Sequence, residues 1–220
     1  MNLLSKITIA LFTLCFFSTS VWALNPNQTL TEDGKIVESF YIDGSEDFIA
    51  STGSPEQVLK PYPVGVQFLY EPNLFGGLAL LYKLRDKFGD VIAFSSELEH
   101  ITTTPDGLQT SLSDWTIKVP NRGMVIVTQI EDFTPLIAEI MDMLANGETE
   151  RYFDPPFTLE TTSPGTGKIV GGVGEFEGAT GTFREINWLH YIDIANGTLD
   201  VDGQLEITFD NQDDQGEDEQ

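Results

Sequence analysis

Short segments in which apolar and polar residues alternate fill most of the chain, and a period of two predicts β-strands. The clearest alternation covers 198–209, where Val201, Leu205 and Ile207 are separated by polar or acidic residues. Such a strand packs one face on a core and exposes the other to water. Further strands are predicted at 35–42, 64–70, 91–101, 112–119, 124–130 and 186–194.

The same alternation predicts which side chains share a face of a strand. In 186–194 both faces are mixed, and we expect Trp188 and His190 to point inward because two isoleucines lie on the same face. In 112–119, Trp115 and the apolar residues spaced two apart from it oppose charged and polar ones. In 91–101 one face collects Ile92, Phe94, Leu98 and His100.

Turn signals separate these segments. Asn or Asp followed by Gly tolerates the positive φ angles of tight hairpins. The pair Asp202-Gly203 is the exception, because it lies inside the alternating segment 198–209 and is interpreted as strand. Many short strands with hairpin signals predict an all-β antiparallel barrel or sandwich. The turn pairs are Asp33-Gly34, Asp43-Gly44, Asp106-Gly107 and Asn196-Gly197.

One helix interrupts the β-pattern, inside a long connection at 131–157. Thr134 is expected to cap it, Pro135 suits its first turn, and Gly147 is placed to end it. We expect this helix to pack outside the sheet rather than to cover a barrel mouth as a lid. The segment 74–88 fits a helix and a strand equally. The apolar stripe of the helix consists of Ile137, Ile140, Met141 and Leu144.

Residues 1–23 have the pattern of a secretory signal peptide, which predicts a secreted or periplasmic protein. Lys6 precedes an apolar run that is shorter than the ~20 residues of a membrane-spanning helix, and small residues lead to Ala23. The single cysteine, Cys15, lies in this segment and follows Leu14, where a lipoprotein signal has a small residue. The exported chain is therefore expected to have neither a disulfide nor a cysteine metal site.

The excess of acidic over basic side chains limits the kinds of molecule that the protein can bind. The chain has 220 residues, with 35 acidic and 11 basic side chains and a net charge of −24. This excess argues against binding to nucleic acid or to an anionic membrane, because both need clustered cations. A hydrophobic content of 40% supports one globular domain, predicted at 24–209. Residues 210–220 are predicted to form an acidic, disordered tail.

Five glycines occur in 168–183, at positions 171, 172, 174, 178 and 181. Gly172-x-Gly174 is not a dinucleotide-binding motif, because Glu177 stands where a third glycine is needed and the sequence continues as strand. Closely spaced glycines in β-sequence instead allow the bulges and sharp coiling that small closed barrels require.

The glycine-rich hairpin at 170–182, with the two strands after it, resembles the late hairpin of the allene oxide cyclase and dirigent-like families. Looser similarities lie at Phe40-Tyr41-Ile42-Asp43 and Gly65-x-x-Phe68-x-Tyr70-Glu71-Pro72. The resemblance implies a single antiparallel eight-stranded barrel, with one short helix in a long connection in this chain. It also implies a homotrimer and a lumen that holds a small apolar or aromatic molecule. Bacterial relatives include cyclases.

The resemblance makes Asp43 and Glu71 the candidate catalytic acids of a cofactor-free cyclase or isomerase. A ligand in the lumen is expected to contact Trp188, His190, Phe68 and Tyr70. No metal or organic cofactor site is predicted, since the two histidines lack a partnering carboxylate motif. A serine hydrolase is not indicated either, because no Gly-x-Ser-x-Gly nucleophile elbow occurs. The alternative is a non-catalytic extracellular structural or interaction protein whose acidic surface binds calcium weakly.

Overall fold

The computed structural model describes residues 24–53, 60–61, 68–70, 78–103 and 109–210. The predicted signal peptide at 1–23 and all but the first residue of the predicted acidic tail lie outside these residues. The described elements are β1 (Gln28–Leu30), β2 (Ile36–Ile42), β3 (Phe48–Gly53), β4 (Lys60–Pro61), β5 (Phe68–Tyr70), β6 (Leu78–Arg85), β7 (Val91–Thr103), β8 (Gln109–Val119), β9 (Gly123–Asp132), α1 (Thr134–Asn146), β10 (Glu150–Glu160), β11 (Lys168–Gly174), β12 (Gly181–Asp193) and β13 (Thr198–Phe209).

Antiparallel pairing joins the strands into a ring. The order is β2–β13–β12–β11–β9–β8–β7–β6, and β6 pairs with β2 again. Two of these joins are narrow, because β11 meets β12 only at Lys168–Thr182 and β6 meets β2 only at Tyr41–Arg85. The remaining strands extend the sheet outside the ring, two of them through parallel pairs. The predicted all-β antiparallel class is therefore confirmed.

Several local predictions are also confirmed. Strand β13 has the predicted bounds, and Gly203 and Leu205 lie on its buried face. Asn196-Gly197 connects β12 to β13, with Gly197 at a φ of 65°. The ambiguous segment 74–88 contains a strand, β6. The connection after β9 is shorter than predicted, because β10 pairs with β12 where an irregular segment was expected.

An apolar core fills one end of the ring interior. Trp115 and Ile117 of β8 are 1% and 0% exposed, so the predicted inner face of this strand is confirmed. Strands β9 and β13 add pairs of apolar residues spaced two apart, since every second side chain of a strand faces inward. Burial of these side chains supplies the main stabilisation of the fold. The other core residues at this end include Phe40, Leu84, Val125, Val127, Phe183, Leu205 and Ile207.

Strand β7 turns its acidic residues inward and its large apolar residues outward. Phe94, Leu98 and His100 share a face as predicted, but this face is exposed. The inner face carries Ala93 and then Ser95, with two glutamates after them. An apolar residue on a strand thus does not identify the buried face when the interior at that level is polar.

An arginine closes the apolar end of the ring. Arg122 donates hydrogen bonds to both carboxylate oxygens of Glu38, which is fully buried, and to both oxygens of Glu175. The Arg122 guanidinium also lies 5.0 Å from the centre of the Phe176 ring. Asn27 donates a further hydrogen bond to Glu38 at 2.9 Å. The buried carboxylate at this end is therefore fully compensated by donors and by a cation.

Helix α1 begins beside an aspartate side chain and ends at a glycine. Thr134 is its first residue rather than its cap; the Asp132 carboxylate accepts a hydrogen bond from the Thr134 N–H at 2.9 Å instead. Gly147 ends the helix in the left-handed conformation, at a φ of 71°. Within the described residues, no helix has the length and apolar character needed to cross a bilayer.

The helix packs on a second apolar cluster at the other end of the ring. Met143 is fully buried beside Leu189 and Ile192 of β12. Leu136, in the first turn of the helix, packs on this cluster and also reaches the polar half of the ring interior. Helix α1 therefore packs on this cluster, and its first turn contributes Leu136 to the wall of the ring interior.

The glycine-rich hairpin folds back on itself at Gly172. A Cβ atom at this position would lie 2.2 Å from the backbone oxygen of Phe176. At the neighbouring Gly171 a Cβ would meet nothing nearer than a methyl carbon of Ile126, at 3.9 Å. The pairing of β11 with β9 shifts register between Ile169 and Gly171, which is a β-bulge. The close approach of the Phe176 backbone, rather than ligand binding, therefore explains why residue 172 is a glycine.

We expect Gly172→Ala to lower the free energy of unfolding by about 2 kcal/mol or more, since the added methyl group overlaps a backbone atom that cannot move away alone. Gly171→Ala is the matched control and should change stability by less than about 1 kcal/mol. Urea unfolding followed by far-UV circular dichroism measures both. Equal losses in the two variants would contradict this account of the hairpin.

Candidate functional site

Polar and acidic side chains fill the half of the ring interior that the apolar core leaves. Strand alternation places Glu97 and Glu99 of β7 inward, together with Glu131 of β9 and Glu185 of β12. The exposed fractions of Glu97, Glu131 and Glu185 are 2%, 2% and 7%, and Glu99 is partly buried. Four carboxyl groups from three strands therefore meet inside the sheet.

These groups line a cavity of about 130 Å³. The aromatic part of its wall is formed by Phe48, Tyr82, Trp115 and Phe133. The Tyr82 ring stacks on Trp115 with centres 5.3 Å apart and meets Phe48 at 4.5 Å. The helix end contributes apolar wall residues, among them Leu136, Leu159, Leu189, Leu199 and Val201.

Two neutral hydroxyl groups hold Glu97. Tyr82 donates a hydrogen bond from Oη to one carboxylate oxygen at 3.1 Å, and Ser113 donates from Oγ to the other at 2.8 Å. Tyr82 precedes the bulge of β6 and Ser113 faces Glu99 across the β7–β8 pair. Because three neighbouring strands supply these groups, the position of the Glu97 carboxyl is set by the sheet.

Gln129 connects the other two buried carboxyl groups. Its Nε2 donates to Glu131 Oε1 at 3.1 Å and to Glu185, while its Oε1 accepts from the hydroxyl of Thr162. Asn187 donates to the second oxygen of Glu185 at 2.9 Å. The second oxygen of Glu131 and the indole N–H of Trp115 are buried without a hydrogen-bond partner among the described residues.

No ion pair between described residues includes any of these four glutamates. Burial therefore raises the pKa of Glu97 and of Glu131 well above the usual value, and the charges of the neighbouring glutamates raise both further. Burial and then the charge of Glu185 raise the pKa of Glu99 to about 8. Protons are thus shared within the cluster at neutral pH.

Such a cluster can donate and accept protons next to an aromatic wall. A protonated carboxyl is a hydrogen-bond donor and a general acid, and its ionised neighbour is an acceptor and a base. Glu97, fixed by Tyr82 and Ser113, is the carboxyl with the best-defined position. Carboxylate oxygens are also ligands for hard cations.

The acid predicted at Asp43 lies elsewhere. Asp43 follows β2, and its carboxylate accepts hydrogen bonds from the hydroxyl and the N–H of Ser45, at 2.6 and 2.9 Å. The hydroxyl hydrogen bond lowers the pKa of Asp43, which keeps this carboxyl ionised. Asp43 does not line the cavity, and Glu71 lies outside the described residues.

The predicted ligand-binding residues also lie apart from the cavity or outside the description. Strand β12 turns Asn187 and Leu189 to the cavity, so Trp188 faces the other way, in contrast to the inward orientation expected. His190 is the extra residue of a bulge and meets the Asp202 carboxylate at 2.9 Å. The structure describes the backbone of β5, but the side chains of Phe68 and Tyr70 lie outside the described part.

The four cavity glutamates are not among the site residues predicted from the sequence. Glu97 and Glu99 are spaced by two in a strand, which was a usable signal, since the pair must share a face. The large apolar side chains on the opposite face, Phe94 and Leu98, suggested that the glutamates pointed outward. Glu131 and Glu185 are two acids among 35 that lie far apart in the sequence, and only the pairing of the strands brings them to the same place.

No family model matches the chain, and no curated protein matches it. The resemblance of the glycine-rich hairpin to the allene oxide cyclase and dirigent-like families therefore stays a prediction. The cavity itself is the basis for assigning a function.

The raised pKa of Glu99 predicts how stability depends on pH. The folded protein holds this proton up to about pH 8, whereas the unfolded chain releases it near the ordinary value of 4.5. The stabilisation is complete below pH 4.5 and is lost as the pH rises to 8. Compared with Glu99→Gln, which cannot ionise, the wild type should lose on the order of 3 kcal/mol between pH 5 and pH 8.5.

Urea unfolding at a series of pH values measures this difference. Glu177→Gln removes an exposed carboxyl and is the control, expected to follow the wild type at every pH. If Glu99→Gln and the wild type showed the same pH dependence, the carboxyl would be ionised in the folded protein and the interpretation of the cluster would be wrong.

Proposed function

We propose that this protein is an exported, small-molecule-binding β-barrel of the allene oxide cyclase and dirigent-like type. In this proposal the ring of strands is an eight-stranded barrel, and its lumen is the glutamate-lined cavity. The observation that carries the proposal is the cavity of about 130 Å³ with aromatic walls and four carboxyl groups. A lumen filled completely by apolar side chains would have contradicted the proposal.

The size and wall of the cavity support a ligand of about one aromatic ring. An apolar cavity of about 150 Å³ in another protein is known to hold benzene. Stacking surfaces are offered by Tyr82 and Trp115, and the indole N–H of Trp115 has no hydrogen-bond partner in the part of the chain that the structure describes. Buried donors without partners are rare, so this N–H supports a ligand with an acceptor group.

The carboxyl groups support cofactor-free proton chemistry, such as a cyclisation or an isomerisation. In our proposal Glu97 is the acid, held in place by Tyr82 and Ser113. A proton that leaves a carboxyl for the substrate returns from the product, so the cluster needs no other reactant. Asp43 and Glu71, which the family resemblance suggests, are not part of this proposal.

Export is part of the proposal and rests on residues 1–23 alone. Their signal-peptide pattern supports a secreted or periplasmic location. A cavity protein in that location would meet small molecules outside the cytoplasm. The acidic surface, with its net charge of −24, favours neutral or cationic ligands over anionic ones at long range.

An apolar patch on the outer face of the ring supports the homotrimer that the family resemblance implies. We define this outer patch as Leu81, Leu98, Leu112 and Ile130, which are 39–52% exposed. The four residues lie on the neighbouring strands β6 to β9, and Leu112 lies directly opposite Ile130. Large exposed apolar side chains that cluster on one face are typical of protein interfaces. We propose a second copy of this chain as the partner.

Native mass spectrometry of the protein expressed in and purified from its own source tests the ligand. We expect a retained small molecule, seen as a discrete additional mass. Leu136→Trp enlarges a cavity-wall side chain and should remove it. Leu144→Trp makes the same change at an exposed position of the same helix and should retain it. A wild-type protein without additional mass, or equal retention in both variants, would refute binding in the cavity.

Light scattering coupled to size-exclusion chromatography tests the outer patch. We expect the wild type to have three times its monomer mass and the double variant Leu98→Lys, Leu112→Lys to have the mass of a monomer. A charge buried in an interface without a partner costs several kcal/mol, which is enough to dissociate it. Phe88→Lys changes another exposed apolar residue, outside the patch, and is the control. A monomeric wild type would exclude the trimer.

A further inference from the structure

Three of the cavity glutamates are close enough to share one ion. Carboxylate oxygens of Glu97, Glu99 and Glu131 all lie within 4.8 Å of one another. Glu97 and Glu99 reach this place from β7 and Glu131 reaches it from β9, with β8 between them. The rigid part of the sheet, rather than a loop, therefore positions the oxygens.

A second observation distinguishes this cluster from an ordinary group of surface acids. Glu131 is 2% exposed, and its second oxygen is buried without a hydrogen-bond donor among the described residues. Its first oxygen accepts a hydrogen bond from Gln129, which orients the carboxyl group in the cluster. Buried polar groups in proteins rarely lack a partner, so this oxygen is available to a bound cation.

We propose that Glu97, Glu99 and Glu131 bind a hard divalent cation, with calcium as the best fit. The donor set contains only oxygen, which excludes a preference for zinc or copper. Calcium accepts six to eight oxygen ligands in a flexible geometry, whereas magnesium demands a near-ideal octahedron and usually keeps several water molecules. Three carboxyl groups that reach one place from fixed strands therefore suit calcium better than magnesium.

The remaining coordination positions have ligands available. Calcium takes six to eight oxygen ligands, and the three glutamates supply at least three. The cavity of about 130 Å³ has room for a few water molecules or for polar groups of a bound small molecule. The hydroxyls of Tyr82 and Ser113 donate to Glu97 and leave further lone pairs on its oxygens for a metal.

This inference goes beyond the proposed function, because the cation site does not require a small molecule. It also differs from the surface calcium binding considered from the sequence, since the ligands are interior residues. If the wild type retained a small molecule but bound no cation, only the cation site would be rejected. If it bound a cation but retained no small molecule, only the proposed ligand would be rejected.

Terbium luminescence tests the site, because Tb³⁺ replaces calcium and is excited through a nearby aromatic ring. Chelator-treated wild type titrated with Tb³⁺ and excited at tryptophan wavelengths should show sensitised emission that calcium abolishes. Trp115 lines the same cavity, so Trp115→Phe should reduce the emission strongly. Glu131→Gln should lower the affinity at least tenfold. Glu177→Gln, which removes an exposed carboxyl, should leave the affinity unchanged.

Thermal unfolding in calcium is the second readout. At a calcium concentration of one hundred times Kd, the midpoint of the wild type should rise by about 5–10 °C. Glu97→Gln provides a second variant if Glu131→Gln does not fold, and either should lose the shift. Equal shifts in Glu131→Gln and Glu177→Gln would assign the binding to the acidic surface and overturn the inference. The absence of any shift at millimolar calcium would overturn it as well.

Discussion

Four carboxyl groups share the interior of the ring, and none of them forms an ion pair with another described residue. Ionisation of all four at once would cost several kcal/mol per charge in a medium of low dielectric constant. The pKa of about 8 for Glu99 corresponds to a preference of about 5 kcal/mol for the protonated form over an exposed glutamate. The cluster must therefore hold protons, a ligand or a counter-ion, and every functional interpretation depends on which of these it holds.

The opposite end of the ring shows how the same fold neutralises a buried acid. Glu38 is fully buried, yet Arg122 and Asn27 satisfy both of its oxygens. The apolar residues between the two ends separate a compensated carboxylate from an uncompensated cluster. This contrast argues that the cluster is more than an effect of the acidic composition. A structural end and a candidate functional end are built from the same residue type, and only their partners differ.

Much of the fold could be predicted from local patterns. Alternation gave the bounds of β13 and the buried face of β8, and Gly147 marked the end of α1. These features depend on residues a few positions apart, so the chain around them contains the needed information. The orientation of β7 could not be predicted in this way. Its apolar side chains lie on the outer face and its glutamates line the cavity. The usual relation between hydrophobicity and burial is therefore reversed in this strand.

By itself, the sequence determined the class of the fold, the positions of most strands and turns, and an acidic composition that disfavours nucleic acid. These follow from periodicity, glycine conformations and charge, which act locally or as sums over the chain. Only the tertiary structure decided which of the acidic residues line the cavity. Glu97, Glu131 and Glu185 are far apart in the sequence, and strand pairing brings them into one cavity. Their unusual chemistry arises from that shared burial, which no local pattern of residues can reveal.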